Sequence, residues 1–489
     1  MTGAAVGNEP ATSRAGAGSS PLLPALLVFF GVFALLLGLG DRLLNDPDTW
    51  WHIAVGERIW SSGTFPRTDE LSHTFAGAPW IAKEWLSQVL LHAAWSIAGW
   101  RGVAVLAAAV AAAAFALLYH WLGRRLRLAP AIVLTAIVVA LSAGQILARP
   151  HIFFFPLLVV WVGALVDAVE RRQTPPWWLV VVVVVWSNAH ASIPIAFALA
   201  GLLGLEAIVR APADRRLRTG VGWALFGLAS VAAAGVTPYG YGAILVAIDL
   251  FGSGEAFRYI AEWQPLARGL SALLPYAALA AAVALLIGAP RRHVFRLAIV
   301  LVCGYLMVSH VRFTSLFGIV AALVVATPLG ERFPAIGRDD GDEAPIAGPW
   351  PAAALLVLMV GSLVLAATVN PMPDRANAPS AALAAARERG LAAGPVFNSY
   401  DFGGYLIANG VPTFIDGRSD QLFGGGFMSG LNDSLRGGDR DRFAGILDRH
   451  AVTWALVRPG TAEAAMLDAL PGWRDVYRDE VAVVLARGR

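Results

Sequence analysis

Residues 46–60, DPDTWWHIAVGERIW, place two carboxylates, two adjacent tryptophans and an imidazole within a short stretch. Asp46, Asp48 and His52 carry groups that accept protons or bind divalent cations, so the cluster is a candidate active site. The same residues make a good helix start, because an aspartate caps a first turn and Pro47 suits the first helical position. Asp48 and His52 would share one face of that helix. The segment is therefore a membrane-surface helix with an acidic start, an active site, or both.

Two stretches near this cluster have the periodicity of amphipathic helices. In residues 50–60, Trp51, Val55 and Ile59 recur every four residues, and residues 80–95 show a similar apolar face. Tryptophan-rich amphipathic helices lie flat at a membrane surface. The sequence therefore predicts two interfacial helices, separated by turns and short extended pieces.

Two pairs of an arginine and a histidine occur between apolar runs. Arg149 and His151 lie in ARPH, and His310 and Arg312 lie in SHVRF. Cationic groups at the level of the lipid headgroups can bind phosphate. The alternative is that each arginine extends along apolar surface to reach phospholipid headgroups.

Other polar residues interrupt apolar segments or follow predicted strands. Asp69 ranks first among the remaining acidic residues of the first loop, ahead of Glu70 and Glu84, and solvated loop charge explains Asp69 and Glu70 equally well. Turn and cap chemistry likewise explains many of the others. The candidates for lining a cavity are Asn188, His190, Tyr239 and Glu262, and those that could close over it are Tyr400, Asp401, Asp416, Arg418 and Asp420.

The chain that must position these residues is largely apolar. It has 489 residues, of which 57% are hydrophobic and 15% charged, and its mean hydropathy is +0.62. Several runs approach the ~20 apolar residues that cross a bilayer. We predict a polytopic α-helical membrane protein of about eleven spans, after a short disordered cytoplasmic tail over residues 1–20. The predicted spans are 22–40, 102–122, 130–147, 151–168, 177–191, 193–209, 221–236, 271–288, 295–309, 312–328 and 350–369.

Arginines orient these spans. They concentrate in alternate loops, which contain GRRLRLAP, ERRQTPP, RAPADRRLRTG and APRRHVFR. Because basic loops stay on the cytoplasmic side, the N-terminus is predicted to be cytoplasmic and the C-terminal part extracytoplasmic. The polar clusters then fall almost entirely on the outer side. The excess of arginine over lysine is typical of GC-rich bacterial coding, so we expect a multi-pass protein of the bacterial inner membrane.

Several classes of protein are excluded by what the sequence lacks. A single cysteine, Cys303, rules out internal disulfides and a thiolate metal cage. The chain contains no Walker loop, dinucleotide fingerprint, zincin helix or nucleophile elbow, and the glycine-rich LFGGGFMSG is predicted to be a loop. Nothing indicates a nucleic-acid partner.

The composition changes after the last predicted span. Residues 371–489 hold aspartate, arginine and glycine in amounts usual for soluble domains. Strand-like runs occur in GPVFNS, VPTFIDGR, AVTWALVRPG and EVAVVLAR, and helices are predicted at 379–389, near 440–449 and near 461–470. This alternation predicts a small extracytoplasmic α/β domain.

The arrangement resembles the GT-C superfamily of polyprenyl-phosphate-dependent glycosyltransferases. A first outer loop, residues 41–101, opens with acidic residues after span 1 and heads a bundle that ends in an outer soluble domain. DPDTWWH is similar to the acidic motif expected there, and TDE at 68–70 is similar to a second acidic site of some members. The resemblance covers the whole chain, with residues 21–370 as the transmembrane GT-C-like domain and 371–489 as the outer domain.

This resemblance implies transfer of a sugar from a polyprenyl-phosphate donor to a glycan, lipid or protein acceptor, with inversion. One first-loop aspartate would be the general base, and the other would orient the acceptor or hold a divalent cation such as Mg²⁺ or Mn²⁺. For the tryptophans, an aromatic belt is the alternative to a sugar platform. The implied residues are Asp46, Asp48 and Asp69 as catalytic groups; Arg149, His151, His310 and Arg312 for donor phosphate; Trp50, His52, Asn188, His190, Tyr239 and Glu262 for acceptor or cavity; and Asp46, Asp48 and His52 for metal.

Two other functions remain open on the sequence alone. A lipid-linked glycan polymerase or ligase would depend more on Arg149 and Arg312 than on the loop aspartates. A transporter or scaffold of envelope glycan assembly would need no catalytic base. A polar path through the membrane midplane favours a transporter, whereas one cavity open outward favours a transferase.

Overall fold

The computed structural model describes residues 22–252, 258–338 and 349–488, so the predicted tail over residues 1–20 lies outside the described residues. The first part of the chain is helical. Its helices are α1 (Leu22–Gly38), α2 (Gly40–Leu43), α3 (Asp48–Ser62), α4 (Trp85–Gly123), α5 (Leu128–Ser142), α6 (His151–Glu170), α7 (Leu179–Ala189), α8 (Ile193–Arg210), α9 (Arg216–Ala234), α10 (Gly242–Gly252), α11 (Leu273–Ile287), α12 (Pro290–Ser309), α13 (Thr314–Arg332) and α14 (Pro349–Thr368).

Apolar helices cover all eleven predicted segments. Within the described ranges, eight are long and apolar enough to cross a membrane, and α1, α7 and the part of α12 from His293 to Ser309 are shorter. This is the architecture of a polytopic α-helical protein, while the number that actually span a bilayer stays a prediction. The extra helix α10 lies between the seventh and eighth predicted spans.

The core of the bundle is built on α4, α6 and α13. α4 contributes a row of fully buried alanines, including Ala104, Ala108 and Ala111, whose small side chains let neighbouring helices approach closely. Gly163 of α6 serves the same purpose, because a Cβ there would lie 2.6 Å from the ring of Trp121. α1 packs between α4 and α14, and α8 packs against α6 and α9.

A buried charge network joins the helices at the end of the bundle where α6 finishes. Arg296 of α12 donates from Nε to Glu206 of α8 over 3.0 Å, and its terminal nitrogen lies 3.0 Å from Glu170 of α6. Arg125, which follows α4, reaches the other oxygen of Glu170 over 2.7 Å and also pairs with Asp167. The network links four helices at the end opposite to His151, the first residue of α6.

The first loop differs from the prediction of two helices lying on the membrane. The apolar face of α3, formed by Trp51, Val55 and Ile59, packs into a core with residues of the C-terminal part such as Phe414 and Ile415. Protein therefore covers the stripe that was assigned to the membrane surface. The pattern was correct for an amphipathic helix, but periodicity does not distinguish lipid from protein as the covering layer.

The second predicted interfacial helix is joined to the second predicted span. α4 begins at Trp85 and continues to Gly123, interrupted by non-helical backbone at Ala98 and Gly99. Gly99 has φ +58°, a conformation that glycine adopts without steric cost, and it redirects the chain there.

The C-terminal domain is a four-stranded mixed sheet with helices. Strand order is β1-β2-β4-β3, in which β1 and β2 are parallel and the other neighbours antiparallel. The elements are α15 (Ser380–Glu388), β1 (Val396–Asn398), α16 (Gly403–Ala408), α17 (Phe427–Gly437), α18 (Arg440–Arg449), β2 (Trp454–Val457), α19 (Ala462–Asp468), β3 (Trp473–Arg478) and β4 (Val483–Arg487).

Two local predictions in this domain need correction. VPTFIDGR is not a strand of the sheet: Thr413 forms an isolated bridge with Ser72 of the first loop, and the Asn398 side chain accepts from the Phe414 nitrogen and donates to the Ile415 carbonyl, each over 2.8 Å. The predicted loop LFGGGFMSG becomes the start of α17 from Phe427 onward. β3 and α16 were not predicted.

Candidate functional site

One cavity lies between the helical bundle and the C-terminal domain. Its volume is about 450 Å³, and its walls come from the first loop, the start of α6, the α7–α8 and α12–α13 connections, residues 259–263 and the C-terminal domain. We name it the interdomain cavity. The predicted site residues that line it are Asp46, Asp48, His52, Arg149, His151, His190, Glu262 and Arg312, together with Tyr400, Asp401 and Asp420.

The two first-loop aspartates sit where α3 begins. Asp46 is 6% exposed, and its Oδ1 accepts from the backbone nitrogen of Asp48 over 2.8 Å. The helix is therefore capped by Asp46, as the sequence predicted, and the cap places both carboxylates on the cavity wall. Burial raises the pKa of Asp46 above its ordinary value, although the Arg149 guanidinium acts in the opposite direction.

Arg149, at the start of α6, contacts two carboxylates and one imidazole. It lies 3.0 Å from Asp46, forms an ion pair with Glu262, and donates from Nε to Nδ1 of His151 over 2.9 Å. His151 therefore accepts at Nδ1 and donates its Nε2 hydrogen to the Gln145 carbonyl. Burial opposes ionisation of Glu262, but Arg149 and Arg312 hold the pKa of that carboxyl far below its ordinary value.

Arg312 is the second arginine of the cavity, and fewer of its nitrogens have hydrogen-bond or ion-pair partners than those of Arg149. One terminal nitrogen lies 3.3 Å from Glu262, and the guanidinium carbon lies 4.1 Å from the ring centre of Trp263. Its other nitrogens have no hydrogen-bond partner among the described residues. The neighbouring His310 faces the Trp263 carbonyl at 2.7 Å and does not line the cavity.

Asp48 differs from Asp46 in forming no ion pair within the described ranges of the chain. Its Oδ1 accepts from the indole nitrogen of Trp51 over 3.0 Å. Its Oδ2 has no hydrogen-bond partner among the described residues. Burial, followed by the negative charge of Asp46, raises the pKa of Asp48 well above its ordinary value. A carboxylate whose pKa is raised in a cavity is a suitable general base.

His52 presents one ring nitrogen to a neighbour and keeps the other open. Its Nδ1 accepts from the side-chain nitrogen of Gln88 on α4 over 3.1 Å, so Nε2 carries the hydrogen. No described group is bonded to Nε2. Burial and the charge of Arg149 lower the pKa of His52 well below its ordinary value, so the ring is a neutral hydrogen-bond donor.

The other predicted cavity residues on the connections have local structural partners. His190 lines the cavity, 3.6 Å from Glu84, and its Nδ1 contacts the Ser192 hydroxyl at 2.8 Å. Asn188 does not line it, and instead accepts from the Trp85 indole over 2.6 Å. Tyr239 also lies outside the lining, where its hydroxyl accepts from the Ala82 nitrogen over 3.2 Å.

Two predicted first-loop residues lie behind the cavity wall. Asp69 is buried in a salt bridge with Arg418 at 2.6 Å, and it also bonds the Leu71 nitrogen. Trp50 packs edge-on between the rings of Trp100 and Tyr405, with centroids 4.5 and 5.0 Å away. Neither side chain reaches the interdomain cavity.

Sequence reasoning missed several lining residues. Lys83 forms an ion pair with Asp420 across 337 positions of sequence, and Gln421 bonds both backbone groups of Ile81. KEWL was interpreted as the wet side of an interfacial helix, so Lys83 was not assigned to a site. Lys83 is the single lysine of an arginine-rich chain, and this feature of the sequence could have marked it as a candidate site residue.

The residues predicted to hold a metal ion do not converge as a ligand set. Within the described residues there is no group of three His, Cys, Asp or Glu side chains arranged to hold a cation. Asp46 is instead paired with Arg149, and His52 with Gln88. The proposed divalent cation therefore has no preformed protein cage in this part of the chain.

Comparison with known proteins links this fold to a glycosyltransferase. No family model matches the sequence, and no curated protein matches it. Among solved structures, the chain is similar to the arabinofuranosyltransferase AftD from mycobacteria, with a TM-score of 0.51 and 16% identity. The match covers 95% of this chain and 40% of AftD. At that identity the likeness shows the fold alone.

Proposed function

We propose that this chain is an integral membrane glycosyltransferase of the bacterial cell envelope. It transfers a sugar from a polyprenyl-phosphate donor to a hydroxyl of an extracytoplasmic acceptor, with inversion. The observation that carries the proposal is that Asp46, Asp48, Arg149 and Arg312, from three separate parts of the chain, line one cavity. A base and an anion-binding group within one cavity are the two functions this reaction needs.

Asp48 is the base in this proposal, and Asp46 is its support. The open Oδ2 of Asp48 takes the proton from the acceptor hydroxyl as the acceptor oxygen forms its bond to the anomeric carbon. The bond from that carbon to the phosphate oxygen breaks, and its electron pair leaves on polyprenyl phosphate. Asp46 accepts a hydrogen bond from the first turn of α3 through one oxygen and pairs with Arg149 through the other, so neither oxygen is left for the acceptor proton.

Arg312 binds the donor phosphate in this proposal. Its two free nitrogens suit a phosphate oxygen pair, and negative charge grows on that phosphate as the sugar leaves. Arg149 is held by two carboxylates, so its first role is to position Asp46 and Glu262. The neutral His52 donates from Nε2 to an acceptor or sugar oxygen.

The arrangement of polar groups favours a transferase over a transporter. The interdomain cavity lies at the start of α6 and the buried charge network at its end. Between His151 and Asp167, α6 carries only apolar side chains, proline and glycine, and all of α13 from Leu316 to Ala326 is buried and apolar or glycine. In these core helices no polar path joins the two ends.

Removing the base tests the proposal. We expect Asp48→Asn to lower transfer by about 10²- to 10⁴-fold, because a neutral amide cannot take the acceptor proton. The assay uses purified protein in lipid nanodiscs with polyprenyl-phosphate arabinofuranose, mannose or glucose and a glycan acceptor mixture. Asp441→Asn, an exposed carboxylate on α18, is the matched control and should keep full activity.

Two results would count against this assignment. Full transfer by folded Asp48→Asn and Asp46→Asn proteins would show that neither aspartate is the general base. Loss of transfer in Arg312→Gln with full activity in Asp48→Asn would favour the polymerase or ligase alternative, which depends on the arginines.

A further inference from the structure

The C-terminal domain touches the proposed base directly. Gly417 lies on the cavity wall, and a Cβ at that position would be 1.9 Å from Oδ1 of Asp48 and 2.9 Å from Oδ2. No side-chain atom fits into such a space while the carboxylate stays where it is. The backbone of a residue 369 positions along the chain therefore forms the floor beneath this carboxylate.

The requirement at Gly417 is for volume and not for an unusual backbone. The φ of Gly417 lies outside the left-handed range that favours glycine, so alanine can adopt the same backbone conformation. The three nearest atoms that such a Cβ would meet all belong to the Asp48 carboxylate. By contrast, a Cβ at Gly404 would meet the backbone carbonyl of Pro47 at 2.2 Å, which no side-chain movement relieves.

Gly417 is held rigidly by its two neighbours. Arg418 bonds Asp416 through Nε and a terminal nitrogen, each over 2.8 Å, and its other terminal nitrogen lies 2.6 Å from Asp69. All three side chains are buried. A backbone fixed in this way cannot move aside, so an added methyl group must displace the carboxylate and not the glycine.

Trp51 bonds the same oxygen. Its indole nitrogen donates to Oδ1 over 3.0 Å, so Oδ1 has both an N–H donor and the Gly417 backbone beside it. Oδ2 is then the oxygen that remains for a substrate proton. Contacts from α3 and from the C-terminal domain together set which oxygen of Asp48 faces the acceptor.

We propose that Gly417 is a positioning residue for Asp48, so that the C-terminal domain completes the proposed active site by setting where the base carboxylate lies. This inference rests on the proposed function for its catalytic consequence, while the positioning itself is a property of the protein without substrate. It assigns the outer domain a part in the chemistry beyond covering the cavity.

The test is Gly417→Ala compared with Gly424→Ala. Gly424 follows in the same segment, is exposed, and has no atom within 4 Å of its added Cβ. We expect Gly417→Ala to lower kcat by about 10²-fold with donor KM unchanged, because the base is misplaced by about 1 Å while Arg312 is untouched. Gly424→Ala should match the original protein in both constants and in thermal unfolding temperature.

A second measurement needs no transferase activity. Water-soluble carbodiimide with an amine labels carboxyl groups, and peptide mass spectrometry gives the extent of labelling at Asp48 as a function of pH. Displacement into the cavity hydrates the carboxylate and relieves the burial that raises its pKa, so the labelling profile of Gly417→Ala should move to lower pH. Trp51→Phe removes the donor to Oδ1 that lowers the pKa of Asp48, so its profile should move to higher pH, and that of Gly424→Ala should not move.

The outcomes separate this inference from the proposed function. An altered Asp48 labelling profile in a protein that transfers no sugar would support the positioning and overturn the proposed activity. Unchanged kcat and an unchanged profile in folded Gly417→Ala would overturn the positioning and leave the transferase standing. If Gly417→Ala fails to fold, the double variant Asp48→Ala/Gly417→Ala decides: it should fold, because the carboxylate that the added methyl group meets is gone, and its failure to fold would overturn the positioning.

Discussion

Asp46 and Asp48 are two residues apart and have different chemical surroundings. Asp46 faces Arg149 and caps α3, whereas Asp48 has an indole donor on one oxygen and an open second oxygen. Two carboxylates placed so closely disfavour each other's ionisation, and here the one without a cation bears most of that effect. The pair therefore divides into a structural member and a member that can exchange a proton.

The pH dependence of transfer should report on Asp48. Its carboxylate must be ionised to accept a proton, so kcat/KM should rise with pH through a pKa that lies well above 3.8, the ordinary value for aspartate. In Asp46→Asn the neighbouring negative charge is lost, so the acidic limb should move to lower pH while part of the activity remains. An acidic limb that stays in place, or moves to higher pH, would show that Asp48 is not the titrating base.

At the level of single residues, the sequence identified the groups that end an apolar run. Asp46, Asp48, Arg149 and Arg312 each occupy such a position, and each lines the cavity. Asp69 was ranked among them because TDE at 68–70 is similar to a second acidic site of the GT-C superfamily. Its partner Arg418 is 349 residues away in the sequence, and no local sequence pattern predicts a contact between residues so far apart.

Among the elements, the contact between the first loop and the C-terminal domain includes one buried cation with two carboxylates. Arg418 satisfies Asp416 and Asp69 together, and Gln421 bonds the Ile81 backbone beside it. Charges removed from water are stable only when paired in this way. The group therefore ties the two parts of the chain together at the cavity.

Breaking this contact should loosen the domain. In Arg418→Met two carboxylates stay buried without a cation, so we expect a loss of about 3–5 kcal/mol in unfolding free energy and faster proteolytic release of the C-terminal domain. The matched control is Arg478→Met, which removes a surface pair with Asp475 of 2.7 Å and should cost less than about 1 kcal/mol. Equal thermal shifts in the two variants would mean that the buried group does not hold the domain.

The helices of the bundle were predictable because each corresponds to a long apolar run in the sequence. Irregular segments were not, since VPTFIDGR has the composition of a strand but forms one isolated bridge with the first loop and bonds the side-chain amide of Asn398. The apolar face of α3 was also only partly predictable. Its periodicity predicts that the face is buried, but not whether lipid or protein covers it.

Considering the whole molecule, charged groups gather at two ends of an apolar bundle. The arginine-rich connections lie at the end of the buried network, and the C-terminal domain lies at the other end with the cavity. If basic loops face the cytoplasm, the domain and the proposed active site face outward.

Labelling of single cysteines should establish this orientation. The native Cys303 is buried and is first replaced by alanine. In right-side-out membrane vesicles, Glu388→Cys on the C-terminal domain should react with a membrane-impermeant maleimide, and Arg215→Cys before α9 should react only after permeabilisation. Both positions are exposed, so access depends on the side of the membrane. The reverse labelling would place the proposed chemistry in the cytoplasm and contradict the donor class.

Glu262 between Arg149 and Arg312 has a consequence for which anions the interdomain cavity binds. Both guanidiniums already have a carboxylate neighbour, so free inorganic anions gain little by entering. In the proposed function, a lipid-anchored phosphate arrives at high local concentration in the plane of the membrane and binds the two remaining nitrogens of Arg312 beside Glu262. A carboxylate kept at this place would make the site selective for donors that the membrane itself delivers.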